Sequence, residues 1–113
     1  MNLNEYQREA IKTRNRGILE PYRRLEEGLI GMNSESGEAL DILKKFLFQG
    51  HELDVYKLEQ ELGDVLWYLA ITAYALGVDL ETIARININK LRKRYPNGFT
   101  CEDSLKRIDT EKD

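Results

Sequence analysis

The tetrapeptides Glu35-Ser-Gly-Glu38 and Glu61-Leu-Gly-Asp64 have the same pattern of acidic residue, spacer, glycine and acidic residue. Each places two carboxylates three residues apart, with a glycine immediately before the second. On a helix, residues three apart lie about 60° from each other around the axis and share a face. Each tetrapeptide therefore predicts two carboxylates side by side on one helix.

Leucines follow both tetrapeptides at the same offsets, so these acidic helices must also pack against neighbours. Carboxylates next to a packing surface are costly to bury unless a positive charge lies between them. Four carboxylates from two facing helices make an all-oxygen set of ligands, which suits Mg²⁺ or Mn²⁺ better than zinc. The two tetrapeptides thus predict a helical protein with a divalent cation site.

The composition is that of one ordinary globular domain. The chain has 113 residues, of which 42% are apolar and 33% are charged, and its formal net charge is −3. This length predicts a single domain over 1–113, with a core at about 3–99 and a short tail at 100–113. The mixed charge argues against a general nucleic-acid binder, which usually has a basic excess.

The chain has no sequence feature of an exported or membrane protein. Its single cysteine, Cys101, cannot form an internal disulfide and is expected to be a free thiol in the tail. The N-terminus lacks the apolar segment of a signal peptide. The most apolar stretch, residues 65–78, is shorter than the ~20 residues needed to cross a bilayer. We predict a cytoplasmic protein without a membrane partner.

Hydrophobic periodicity and capping residues predict four main helices and no strand. The expected helices span residues 3–13, 22–49, 55–76 and 80–95, followed by a short helical segment at 100–107 and a frayed end to 113. Asp54 and Asp79 are suited to be N-caps, and Gly50 and Gly77 to end the preceding helices. Short connections make the second, third and fourth helices antiparallel neighbours, so the predicted fold is an all-α, antiparallel four-helix bundle.

Three glycines interrupt the long second helix. Gly28, Gly31 and Gly37 each cost about 1 kcal/mol relative to alanine in a helix interior. They indicate either the close approach of another backbone or a break near residues 28–33. Glu38 and Asp64 are each about a dozen residues from the predicted turn at 50–53, so the two acidic pairs are expected to face each other.

With these features the sequence resembles the MazG-like all-α nucleoside triphosphate pyrophosphohydrolases. The family signature is Glu-x-x-Glu on one helix and Glu-x-x-Asp on the next, and it is matched by Glu35, Glu38, Glu61 and Asp64. The run Glu61-Leu-Gly-Asp-Val-Leu-Trp67 is close to the usual family form. The resemblance covers roughly residues 3–99.

The resemblance implies a reaction. In that family the four acids hold Mg²⁺, and the enzyme cuts between the α- and β-phosphates to release a nucleoside monophosphate and pyrophosphate. A triphosphate carries about four negative charges, so it binds an acidic site only through bridging cations. We predict Mg²⁺, with Mn²⁺ as an alternative, and Glu38 as the catalytic base that accepts a proton from the attacking water.

The fourth helix carries the cationic residues of the prediction. Asn87, Lys90 and Arg94 share a helix face, and they lie in a segment, 87–96, that matches a form often seen in the resembling family. They are expected to bind the β- and γ-phosphates. The alternative is that basic residues at the end of this helix only complement its dipole.

The sequence predicts the roles of a few other side chains less specifically. Lys45 is expected to pair with Asp41 on its own helix, His51 to be exposed in a turn, and Trp67 to belong to the core. Recognition of the base is not assigned.

The predicted substrates are (deoxy)nucleoside triphosphates, and the predicted assembly is a homodimer or homotetramer with a site shared between subunits. One alternative is a member of the same superfamily with another nucleotide substrate, dUTPase-like or phosphoribosyl-ATP-cleaving. Another is a non-catalytic helical module whose acids form ion pairs with a basic partner.

Overall fold

In the computed structural model, residues 1–108 are described, and they form five α-helices and no β-strand. The helices are α1 (Leu3–Ile11), α2 (Pro21–Phe48), α3 (Val55–Ala75), α4 (Leu80–Arg94) and α5 (Cys101–Lys106). The all-α prediction and the positions of the helices are confirmed. The predicted frayed end falls on residues 109–113, which lie outside the described part of the chain.

The helix ends follow the predicted capping residues. Asp54 and Asp79 accept hydrogen bonds from backbone amides three residues further on, at 3.0 and 2.8 Å. Gly50 and Gly77, just beyond α2 and α3, have φ angles of 73° and 77°, a conformation that glycine adopts without steric cost. Gly50 and Asp54 bound the turn of the α2–α3 hairpin, and Gly77 and Asp79 bound the connection from α3 to α4.

The α2–α3 hairpin is the main packing unit of the chain. Gly28 and Gly31 of α2 are buried where the two helices cross closely. A Cβ atom on Gly28 would overlap the hydroxyl of Thr72, and one on Gly31 would overlap the ring of Tyr68. Both glycines thus make room for a close neighbour, but that neighbour is mainly a side chain of α3 and not its backbone, and α2 runs through residues 28–33 without a break. At Gly37, in contrast, a Cβ atom would meet no neighbouring atom within 4 Å.

This difference between the glycines gives a prediction about stability. Gly31→Ala is expected to lower the free energy of unfolding by about 1–3 kcal/mol, because the new methyl group displaces Tyr68. Gly37→Ala is expected to raise it by up to about 1 kcal/mol, because alanine favours the helix and fills open space. Urea denaturation of both variants measures the two changes. Equal stability of the two variants would contradict the close packing at Gly31.

A buried glutamine joins α1 to the rest of the fold. The Gln7 amide nitrogen donates to the carbonyl oxygens of Ala70 and Val78, both at 3.2 Å, and its amide oxygen accepts from the Leu80 backbone amide at 3.1 Å. Both polar atoms of this buried side chain are thus hydrogen-bonded. Gln7 fixes α1 across the end of α3 and the start of α4.

The core is small and lies around α1 and the second half of α3. Its buried residues are Ala10, Ala70, Ala73 and Leu80. Trp67 packs against this cluster, as predicted, and its indole nitrogen donates to the hydroxyl of Thr13 at 2.8 Å. None of the helices within residues 1–108 has the length and apolarity required to cross a membrane.

The chain is open for its size. Its radius of gyration is 17.3 Å, against about 13 Å for a compact domain of this length. Its accessible surface is 8578 Å², about one third more than the value of about 6,400 Å² for a compact monomer of its mass. α4 packs mainly against α1, with smaller contacts to α3 and α5, so a closed four-helix bundle remains a prediction.

An exposed row of apolar residues on α2 accounts for part of this surface. Its members, which we call the α2 stripe, are Tyr22, Leu29, Leu40, Leu43 and Leu47. Helical spacing places them on the side of α2 away from α3. Leu40, near the middle of the stripe, is 66% exposed.

Candidate metal centre

Three carboxylates meet where the two acidic tetrapeptides face each other. Glu35 of α2 and Glu61 and Asp64 of α3 each offer one oxygen atom, and these three oxygens lie within 4.8 Å of one another. The antiparallel hairpin brings the two acidic tetrapeptides together, but the α2 oxygen comes from Glu35 and not from Glu38, which is closer to Asp64 in its distance from the turn. We call these three residues the acidic centre.

The charges of the acidic centre oppose one another. The pKa of Glu35 is raised, first by a side-chain hydrogen bond with Glu61, then by burial, and then by the negative charges of Asp64, Glu61 and Glu38. Carboxylates held this close disfavour simultaneous ionisation unless a cation lies among them. An all-oxygen group of this kind fits a hard divalent cation such as Mg²⁺.

Tyr6 of α1 lies near enough to Asp64 to feel its charge. The pKa of its phenol is raised, first by burial and then by the charge of Asp64. The sequence pattern indicates Tyr6 only as part of the apolar side of α1. Its position near Asp64 follows from the docking of α1 on α3, which residue spacing within α1 cannot reveal.

Glu38 stands apart from the other three predicted ligands. It is exposed and is not part of the three-oxygen group, although its charge contributes to the raised pKa of Glu35. It lines a cavity together with Glu61. Glu38 is therefore adjacent to the acidic centre, on the side toward the hairpin turn.

The predicted phosphate-binding residues of α4 are not gathered at the acidic centre within this chain. Asn87 and Lys90 are exposed, and the guanidinium of the half-buried Arg94 lies 5.8 Å from the ring centroid of Tyr95. None of the three lines either cavity beside the acids. Their role with phosphate remains a prediction.

Two cavities flank the acidic centre, and each shares one of its residues. The first, of about 610 Å³, includes Glu35 and is formed by the 17–20 connection, the first half of α2, and Tyr68. The second, of about 450 Å³, includes Glu61 and is formed by the second half of α2, the hairpin turn, and the start of α3. We call them the apolar cavity and the polar cavity after their lining.

Three minor predictions are confirmed. Lys45 forms an ion pair with Asp41 at 2.9 Å, and the pKa of Asp41 is lowered to about 2, chiefly by hydrogen bonds from Lys44 and Lys45. His51 is exposed. Cys101 is an exposed free thiol.

The fold and the site define an all-α protein in which three carboxylates from two facing helices are suited to a divalent cation. Residues 25–99 match the MazG nucleotide pyrophosphohydrolase domain, and the chain belongs to that family. Over 73 residues the chain is also 37% identical to the "Gene 37 protein" of Mycobacterium phage L5, and this match covers 61% of the chain and 64% of the phage protein. No solved structure matches the chain significantly.

Proposed function

We propose that this protein is a Mg²⁺-dependent pyrophosphohydrolase that cuts (deoxy)nucleoside triphosphates between the α- and β-phosphates. The observation that carries the proposal is the acidic centre, in which three carboxylate oxygens lie within 4.8 Å of one another. Membership of the MazG nucleotide pyrophosphohydrolase family supports the reaction class. A cytoplasmic location and the absence of a nucleic-acid partner stay predictions from the sequence.

Glu35, Glu61 and Asp64 would hold the ion, with Glu38 as a fourth ligand or as the base. When bound, Mg²⁺ supplies neutralisation of phosphate charge and lowers the pKa of water in the site. The position of Glu38 beside the three-oxygen group, with an exposed carboxylate, supports its proposed role as the acceptor of a proton from the attacking water. Mn²⁺ offers the same preference for oxygen ligands and is the alternative ion.

The active assembly is proposed to be a homodimer or homotetramer. The extended shape of the chain and the exposed α2 stripe support this, because large apolar patches on a monomer are usually covered by a partner. Packing of two hairpins through their α2 stripes would complete a four-helix bundle. Since Asn87, Lys90 and Arg94 do not line the cavities of their own chain, they are proposed to bind phosphate across the subunit interface.

A test of Mg²⁺ binding distinguishes the proposed enzyme from the alternative, a non-catalytic helical interaction module. Mg²⁺ at a hundredfold excess over its dissociation constant is expected to stabilise the protein by about 2.7 kcal/mol, which raises the melting temperature by several degrees. A non-hydrolysable triphosphate analogue should raise it further. The measurement is thermal unfolding followed by circular dichroism.

Variants make this test specific to the acidic centre. Asp64→Asn is expected to remove most of the Mg²⁺-dependent rise, whereas Glu59→Gln, an exposed neighbour on α3 outside both cavities, should retain it. An interaction module would melt at the same temperature with and without Mg²⁺. A rise of equal size in Asp64→Asn would place the ion elsewhere and contradict the proposed ligands.

A further inference from the structure

The two cavities and the acidic centre lie in one line along the α2–α3 hairpin. On α2 the order is Ile30 in the apolar cavity, Glu35 in the acidic centre, and Lys45 in the polar cavity. On α3, which is antiparallel to α2, Tyr68 lies in the apolar cavity and Lys57 in the polar cavity, so the cavities follow one another in the same order along both helices. With a rise of 1.5 Å per residue, Ile30 is about 8 Å and Lys45 about 15 Å along the axis from Glu35. An extended ligand over the acidic centre is therefore long enough to reach both cavities.

The apolar cavity is suited to the uncharged part of such a ligand. Its surface includes Ile18, Leu19, Ile30 and the ring of Tyr68, and its volume is in the range of small-molecule sites. Tyr68 is fixed in orientation by an edge-to-face contact with Trp67, at 4.9 Å between ring centroids. An aromatic ring held in this way provides a surface on which a nucleobase can stack.

The charges of the apolar cavity disfavour phosphate. The carboxylates of Glu20, Glu26 and Glu27 lie in its lining, and Arg23 is its only cation among the lining residues. Arg23 already forms an ion pair with Glu26. Glu20 is engaged as the N-cap of α2, so outside the acidic centre Glu27 is the lining carboxylate left to oppose a triphosphate tail. As a half-buried acceptor, Glu27 can instead receive the N–H groups of a base.

The lining of the polar cavity includes five carboxylates, but unlike the apolar cavity it also has more than one basic side chain. Its lining contains Lys45, Lys57 and His51. The side-chain ammonium of Lys57 makes no ion pair or hydrogen bond with any described residue, and it lies one helical turn, about 6 Å, before Glu61 on the same face of α3. Lys57 is therefore placed to meet an anion that lies beside the acidic centre.

The acids in the polar cavity are largely engaged elsewhere. Asp41 is paired with Lys44 and Lys45, Asp54 caps α3, and Glu38 and Glu61 belong to the proposed metal site. Of the lining carboxylates, this leaves Glu52 against the cations. Because Lys45 is engaged by Asp41, Lys57 is the lysine of this lining that is left to meet a metal-bearing anion.

We propose that the nucleotide lies across the acidic centre with its nucleoside in the apolar cavity and its departing pyrophosphate in the polar cavity, where Lys57 binds it. This inference rests on the proposed function and adds the direction of the substrate and a residue that recognises the leaving group. It places the bond between the α- and β-phosphates over Glu35, Glu61 and Asp64. Water attack at the α-phosphorus then breaks that bond, and the pyrophosphate takes the bonding electron pair.

A crossed binding experiment tests the direction. Calorimetric titrations in Mg²⁺ buffer use the four common deoxynucleoside monophosphates and, separately, pyrophosphate. Lys57→Gln is expected to weaken pyrophosphate binding by about tenfold, the loss of one charged hydrogen bond, and to leave monophosphate binding within about twofold. Ile30→Trp, which fills the apolar cavity, is expected to weaken monophosphate binding by about tenfold or more and to leave pyrophosphate binding unchanged.

Matched variants control for charge and bulk. Lys12→Gln removes a positive charge on α1, outside both cavities, and Ile86→Trp adds the same bulk to α4 at a residue that is 62% exposed, against 63% for Ile30. Both are expected to bind the two products as the wild type does. All four variants are checked for native helix content by circular dichroism.

In the expected pattern, which we call crossed, each variant weakens the binding of one product and leaves the binding of the other unchanged. The result that would overturn the proposal is loss of this crossed pattern. If Lys57→Gln weakens both products equally, if Ile30→Trp leaves monophosphate binding unchanged, or if the wild type binds neither product, the substrate does not lie in this direction. If triphosphates are cut to monophosphate and pyrophosphate without the crossed pattern, the proposed reaction stands and the direction is wrong. The crossed pattern without turnover would leave the direction in place and refute the reaction.

Discussion

Replacing Glu61 by glutamine is expected to lower nucleoside triphosphate hydrolysis by about 10²–10³-fold, the usual effect of removing one preorganised charge contact to a reacting centre. Glu61 has the most connected position in the acidic centre. It offers an oxygen to the three-carboxylate group, shares a hydrogen bond with Glu35, and lines the polar cavity. Glutamine keeps the shape of the side chain and removes only its charge.

The same substitution is expected to stabilise the protein in the absence of metal. Because Glu35, Glu61 and Asp64 repel one another, removing one charge relieves part of that repulsion. The melting temperature of Glu61→Gln in EDTA should therefore exceed that of the wild type, while the rise caused by Mg²⁺ should be lost. A substitution that raises stability while it lowers activity is characteristic of a residue that serves a functional site and not the stability of the fold.

The control for Glu61→Gln is Glu59→Gln, the same change two residues earlier on α3 and outside both cavities. It is expected to retain wild-type turnover. Steady-state kinetics of the two variants at saturating Mg²⁺ gives the comparison. Equal activity of Glu61→Gln and the wild type would exclude Glu61 from the metal site.

The second large effect is expected at the α2 stripe. Leu40→Arg should convert the assembly to monomers, because an unpaired charge in an apolar interface costs several kcal/mol and raises the dissociation constant by more than about a hundredfold. Leu40 is 66% exposed in the single chain, so the substitution leaves the α2–α3 hairpin intact. Since α4 of the partner is proposed to supply Asn87, Lys90 and Arg94, turnover is expected to fall with dissociation.

Analytical ultracentrifugation of Leu40→Arg against Leu105→Arg tests the stripe. Leu105 is 86% exposed on α5 and lies outside the stripe, so the same substitution there should leave the assembly unchanged. A wild-type protein that is monomeric at all concentrations, or a Leu40→Arg variant that remains associated, would contradict the role of the stripe. Circular dichroism confirms that both variants keep their helices.

Local features of this fold could be predicted from the sequence because they depend on residues close together in the chain. Asp54, Asp79, Gly50 and Gly77 act within one helical turn, so they indicate the helix ends directly. The meeting of the two acidic tetrapeptides could be predicted because a short hairpin turn roughly fixes the register of its two helices. Both features need only the spacing along the chain. Spacing from the turn pairs Glu38 with Asp64, however, and does not indicate that Glu35 is the α2 member of the acidic centre.

Other features depend on how the helices dock, and the sequence leaves them open. Gly31 and Gly37 look alike in the sequence, yet Gly31 contacts Tyr68 and Gly37 faces open space. Tyr6 lies near Asp64 because α1 packs against α3. Lys57 is an exception, since its spacing of four residues from Glu61 places both on one face, and this signal is present in the sequence.

The most direct test of the central claim is the identity of the products. The purified protein is incubated with Mg²⁺ and each common ribo- and deoxyribonucleoside triphosphate, and the products are separated by anion exchange and identified by ³¹P NMR. The expected result is equimolar nucleoside monophosphate and pyrophosphate, abolished by EDTA and restored by excess Mg²⁺. Nucleoside diphosphate and inorganic phosphate would contradict the account, because the cut would then lie at the bond between the β- and γ-phosphates.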